Sequence, residues 1–224
     1  MPPPRLVLAS ASPARLATLR AAGLDPEVAV SGVDEEQVPL SEPADYVMRL
    51  ARLKAVAVAS QQKRALVIGC DSVLSLDGEI LGKPHTEAEA TRRWQQMRGR
   101  SGVLHTGHCV IDTHREVWLA RSAATQVRFA EVSDEEIAAY VATGEPLAVA
   151  GAFTLDGLGG AFVSGVTGDP HNVVGISLPL LREMLAALGV PWRTLWASWS
   201  MVKGFCRNAV PWSSTPLCTT ALRV

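Results

Sequence analysis

LVLASASPARLATLRAAG, residues 6–23, sets the reading of the fold. Leu6, Val7 and Leu8 read as a short buried strand, Ser12 as a helix N-cap, and Pro13 as the first helical residue, where its missing N–H costs nothing. Leu16 and Leu19 give the helix an apolar face, and Gly23 ends it. The turn between strand and helix holds two hydroxyls, a proline and a cation. A helix start has unpaired N–H groups and a positive dipole end, so a phosphate there would meet those donors, the Ser10 and Ser12 hydroxyls and the Arg15 guanidinium. Taken alone, the motif also serves as a plain cap.

Further along, Val28 to Val33 reads as a second strand that runs into the acidic cluster Asp34, Glu35, Glu36. A helix starts near Ser41 and carries an apolar stripe at Val47, Leu50, Ala51 and Val58. Lys54 falls on that stripe, either snorkelling at the helix edge or turned inward for a site. Ala65 to Gly69 is a continuous apolar run suited to a central strand covered on both faces, and it ends in Cys70-Asp71-Ser72. Ligands gather at the carboxyl ends of strands in α/β sheets, which makes Asp71 a candidate site residue.

Asp77-Gly78 between apolar residues predicts a hairpin over Val73 to Leu81, which delivers Gly82-Lys83-Pro84. Thr86 and Glu89 form a capping box for a helix through Met97, and Ser133 and Glu136 cap another that closes at Gly144. Two strands, Val103 to Ile111 and Glu116 to Phe129, complete a mixed sheet. His105, His108 and Cys109 do not make a metal site, because residues 105 and 108 of a strand face opposite sides. Gly151 to Gly175 is glycine-rich but has no G-x-G-x-x-G opening a helix, so it reads as close-packed loop and strand. Leu178 to Leu188 forms a last helix.

Composition bounds the rest. The 224 residues can bury a full core. No apolar run approaches the ~20 residues that a bilayer requires, and the N-terminus lacks a signal-peptide pattern, so a cytoplasmic protein is expected. A formal charge of −1 argues against coating a nucleic acid polymer or an anionic membrane. Four widely spaced cysteines without a C-x-x-C pair suit reduced, structural thiols. From Trp192 onward the chain changes character, with four of the six tryptophans, four basic residues and no acidic one. That segment lacks a helix or strand period, so residues 1–191 read as one domain and 192–224 as an extension, either an added packing arm, a partner-binding segment or a poorly ordered tail, the last being favoured.

In this order, the segments LASASPAR at 8–15, VDE at 33–35, RLARLKA at 49–55, GCDS at 69–72, GEILGKP at 78–84, TG at 106–107, EPLAVAGAF at 145–153 and NVVG at 172–175 resemble the Maf family of nucleoside triphosphate pyrophosphatases. The resemblance covers about residues 5 to 189. It implies an α/β fold with an elongated, twisted mixed sheet flanked by helices, two lobes around a cleft, and commonly a homodimer. It also implies hydrolysis of a nucleoside triphosphate between the α and β phosphates, a reaction that could remove non-standard nucleotides from the pool. Arg15, Lys54 and Lys83 would offset the substrate's charge, with Ser10 and Ser12 as donors. Glu35 and Asp71 would be oxygen ligands for Mg²⁺ or Mn²⁺, and Asp71 the base or water-orienting group. Ser72, Thr106 and Asp156 join the expected substrate-binding set.

Two positions depart from the family pattern. Ala14 stands where many members carry the first of two arginines, and Asp156 stands where the branch favouring dTTP and UTP often carries glutamine. The branch preferring 7-methyl-GTP tends to have a bulky residue at the Ala14 position and glutamate in the later segment, so the base preference stays open. The Maf name is also linked with inhibition of septum formation, and the alternative is a cell-division regulator acting through protein contacts with nucleotide as its signal. Two acids and three cations expected at one cleft favour an enzyme.

Overall fold

The computed structural model describes residues 4–196. Its centre is a seven-stranded mixed sheet. Strand β1 (Arg5–Leu8) pairs in parallel with β2 (Glu27–Val28) on one side and with β3 (Ala65–Leu76) on the other. Beyond β3 the order continues β5 (Ser101–Asp112), β6 (Val117–Phe129) and β7 (Val163–Thr167), all antiparallel, while β4 (Glu79–Leu81) forms a hairpin with β3. Asp77 and Gly78 both have positive φ, the backbone that a two-residue hairpin turn needs. The expected second strand over residues 28–33 is much shorter. Only Glu27 and Val28 pair, because β1 ends at Leu8 and leaves the following residues no edge to bond.

The helices are α1 (Pro13–Ala21), α2 (Pro43–Ala59), α3 (Glu87–Met97), α4 (Asp134–Ala142), α5 (Pro170–Val174) and α6 (Leu178–Ala187). Ser12 accepts from the Arg15 amide as the cap of α1, and Ser133 with Glu136 makes the full reciprocal box at α4. At α3 only half of the expected box forms. Thr86 accepts from the Glu89 amide, but the Glu89 carboxylate turns to Arg92 and Arg93 instead.

Helix α2 lies across the sheet and buries Val47, Leu50, Ala51, Ala55 and Val58. Its approach is unusually close, and two glycines permit it. A Cβ on Gly69 would run into the Ala51 carbonyl, and one on Gly107 into the Val47 carbonyl. Glycine inside a strand commonly marks such close approach.

At one end of the sheet, α1 and α6 close a core around Leu8, Leu19, Ile68 and Leu185. At the other, Trp94 packs edge-to-face on Phe129, Tyr140 and Phe162 with centroids 5.5–5.7 Å apart, and its indole donates to the Ala152 carbonyl. The chain is thus built as two packed ends with the open part of β3 between them.

Of the segment 192–224, the first residues belong to the body. Trp192–Leu195 forms a 3₁₀ turn, Leu195 is buried in the same core as Leu8, and the Trp196 ring lies against Gly23. The packed body therefore runs past residue 191. Residues 197–224, which carry the rest of the expected extension, lie outside the described residues.

Candidate active site

Sequence reasoning puts Asp71 at a strand's end, but β3 continues through it to Leu76. The open position has a different cause. On one side β3 pairs with β1 only up to Ile68, and from Gly69 onward that edge carries no partner strand until β4 joins at Leu74. Asp71 and Ser72 therefore stand in the middle of a rigid strand, yet beside a gap.

That gap is a cleft of about 620 Å³, lined by Ser10, Ser12, Arg15, Glu35, Lys54, Asp71, Ser72, Lys83 and Asp156 among others. Nine of the ten residues expected at the site thus share one cleft. Thr106 does not. It is fully buried beneath Ser72, where the two hydroxyls are 2.9 Å apart, and it donates to the Asn172 carbonyl at 3.0 Å. Its place is to fix Ser72 from below.

Lys54 is 7 % exposed and Asp71 6 %. The Lys54 ammonium donates to Asp71 Oδ1 at 2.5 Å and to Glu35 Oε1 at 2.6 Å, and Lys83 Nζ lies 3.5 Å from Glu35 Oε2. Lys83, Glu35, Lys54 and Asp71 form an alternating chain of charge. Burying two unlike charges is tolerated only with close pairing, which explains why a lysine occupies an inward stripe. Burial alone would raise the Glu35 carboxyl, but the hydrogen bond and charge of Lys54, backed by Lys83, hold it below the usual carboxylate range.

Arg15 anchors the opposite wall. Its Nε donates to the Gly175 carbonyl at 2.8 Å, and its terminal nitrogens donate to Ser10 Oγ, the Cys70 carbonyl and Ser72 Oγ at 2.9–3.0 Å. All four partners are neutral. Among the described residues no carboxylate pairs with this guanidinium, which is 9 % exposed, so its charge is available to an anion in the cleft.

Sequence reasoning missed Tyr46, which lines the cleft two turns before Lys54. Burial and the nearby Asp71 and Glu35 charges push its phenol up, so it stays a neutral hydrogen-bonding group. Its i, i+4, i+8 relation to Leu50 and Lys54 was the available signal. His105 and His108 face opposite sides of β5 as expected. Among the described residues no group of three metal-ligating side chains forms. Cys70 and Cys109 are buried with their thiols pushed up to about 12, which suits inert packing groups.

A mixed α/β sheet with one cleft that gathers three cations, three carboxylates and, at a capped helix start, two serine hydroxyls defines a protein class suited to a polyanionic ligand. The family model described as Maf-like protein matches residues 5–188, and the chain belongs to that family. Among relatives, a protein of Streptomyces coelicolor is 60% identical over 195 residues, which cover 86% of this chain and 95% of that one. One of Salinispora tropica is 59% identical over 200 residues, covering 87% and 88%, and one of Synechococcus elongatus is 57% identical over 198, covering 88% and 99%. All three bear the name nucleoside triphosphate pyrophosphatase. The solved Ham1 protein of Staphylococcus aureus is a looser likeness, 14% identical at a TM-score of 0.43, covering 90% of this chain and 97% of that one.

Proposed function

We propose that the protein hydrolyses nucleoside triphosphates between the α and β phosphates, releasing a nucleoside monophosphate and pyrophosphate. The name shared by relatives at 57–60% identity supports this reading, and it does not favour a septum-formation regulator. The observation that carries it is the paired chain Lys83, Glu35, Lys54, Asp71 on one cleft, with the Arg15 guanidinium opposite bonded only to neutral groups. A triphosphate brings about four negative charges, and attack at phosphorus proceeds when that charge is offset and the water is aligned with the leaving group. Arg15, Lys54 and Lys83 offset the charge, and Ser10 and Ser12 donate to phosphate oxygens.

In this reading a water oxygen attacks the α phosphorus as the bond from that phosphorus to the α–β bridging oxygen breaks. Pyrophosphate leaves with the bridging oxygen. Asp71 orients the water and accepts its proton, while Lys54 holds the Asp71 carboxylate in place. Ser72, braced by Thr106 and Arg15, contributes a further hydroxyl at the cleft wall.

The donors also suit a divalent cation. Glu35 and Asp71 offer hard carboxylate oxygens, and two such groups with substrate phosphates suffice for Mg²⁺ or Mn²⁺, which are rarely held by protein groups alone. Bound there, the ion would stabilise charge developing on phosphate oxygens. Chelation is expected to abolish turnover, and Mg²⁺ or Mn²⁺ to restore it. The reading is tested by following pyrophosphate release from dTTP, UTP, CTP and modified nucleotides with and without Mn²⁺. Release of orthophosphate with a diphosphate product would refute cleavage between α and β.

A further inference from the structure

Glu145 lies outside the cleft, yet four hydrogen bonds converge on its carboxylate. Oε1 accepts from the Tyr140 hydroxyl at 2.9 Å, the Thr154 hydroxyl at 2.5 Å and the Gly159 amide at 3.0 Å, and Oε2 accepts from the Leu158 amide at 3.0 Å. Burial alone would raise this carboxyl, but the bonds from Thr154, the two amides and Tyr140 outweigh it and leave the group lowered, hence ionised. The fit extends to the neighbouring glycines. A Cβ at Gly157 would come within 2.7 Å of Glu145 Oε2, and one at Gly159 within 2.5 Å of the Tyr140 hydroxyl. The glycine-rich stretch that lacks a nucleotide fingerprint is thus shaped to wrap one carboxylate.

What the carboxylate holds is one wall of the cleft. Thr154, Leu155 and Asp156 line it, as do Ala148, Val149 and Ala150, which follow Glu145 in the chain. None of these is cationic. The cleft's cations are Arg15, Lys54 and Lys83, so a bound triphosphate directs its charged end to them and leaves the 148–156 wall to the base and sugar. The loop that carries Lys83 is tied to the earlier part of this segment and to α3, where the His85 amide donates to the Leu147 carbonyl, the Gly151 amide to the Gly82 carbonyl, and Arg93 to the Gly82 carbonyl, and none of these bonds involves Glu145 or residues 154–159.

We propose that Glu145 is a positioning residue for base recognition, clamping residues 154–159 so that this wall meets the base while leaving phosphate binding untouched. This rests on the nucleoside triphosphate reading above. The test is Glu145→Gln, which keeps the shape but turns an amide NH₂ toward groups that are already donors.

In steady-state assays over several nucleoside triphosphates, KM is expected to rise about ten-fold or more with kcat within about three-fold of wild type. The inhibition constant of inorganic tripolyphosphate, which has phosphates but no base, should stay unchanged. Tyr140→Phe, which removes one of the four donors, should shift KM in the same direction by a smaller factor, and it decides the matter if Glu145→Gln does not fold. An unchanged KM in the folded variant, or weaker tripolyphosphate inhibition in parallel with KM, would overturn the proposal. A wild-type protein that hydrolyses no nucleoside triphosphate would overturn the underlying reading, and this one with it.

Discussion

His108 is fully buried, its Nδ1 donating to the Thr106 carbonyl at 3.1 Å and its Nε2 accepting from the Ser177 amide at 2.8 Å. The Ser177 amide can only donate, so this pairing requires the neutral ring. Burial, reinforced by the Arg15 charge, lowers its pKa from 6.5 to about 4. Between those values the unfolded chain binds a proton that the folded one does not. The contribution is therefore fully present above pH 6.5, falls as pH drops toward 4, and amounts to about 3 kcal/mol over that window. Urea denaturation of wild type and His108→Asn at about pH 7.5 and about pH 5 measures it. The loss of stability on acidification should be smaller in the variant, by the part of that contribution that falls between the two conditions.

Helix α2 is the element on which the site depends, because it carries Tyr46 and Lys54, and Gly69 and Gly107 let it lie close enough for Lys54 to reach Asp71. Gly107→Ala is expected to push the helix off the sheet, at a cost of about 1–3 kcal/mol as in other overpacked cores, and to lower turnover along with stability. Thermal melting and pyrophosphate release together check this, and a Gly107→Ala variant with unchanged melting and turnover would show the contact to be slack.

Much of this element was legible. The 3.6-residue stripe, with Lys54 on it, follows from sequence alone, as do the Ser12 and Ser133 caps and the Asp77-Gly78 hairpin, since each depends on neighbours within a few positions. What was not legible depends on pairing at long range. The shortness of β2 follows from where β1 stops, and the passage of β3 through Asp71 from its continued pairing with β5. Thr106 was expected at the substrate from the resemblance of Thr106-Gly107 to the family's segment, and a sequence match does not tell a residue that reaches the cleft from one that braces its neighbour, as Thr106 does Ser72. The Glu145 clamp joins residues 5 to 14 positions apart through an irregular loop, where no period reveals contacts.

At the scale of the whole molecule, the family match ends at residue 188 and the packed body does not. Leu195 is 6 % exposed among Leu8, Leu19 and Leu185, and burying a leucine is worth about 1.5–3 kcal/mol. Truncation after Gly189 should therefore lower the melting temperature, while truncation after Trp196 should leave melting and turnover per molecule near those of the full chain. A loss of turnover in the longer truncation would place part of 197–224 in the working structure. Among the described residues no helix is long and apolar enough to cross a membrane.

In the proposed function, the paired charges around Asp71 carry out hydrolysis at the α phosphorus. This is tested most directly by comparing pyrophosphate release from wild type and Asp71→Asn, with circular dichroism to verify the fold of both. The exchange keeps the shape and removes the charge, so turnover should fall by about 10²-fold or more with the fold intact. A folded Asp71→Asn variant with near-normal pyrophosphate release would contradict the account.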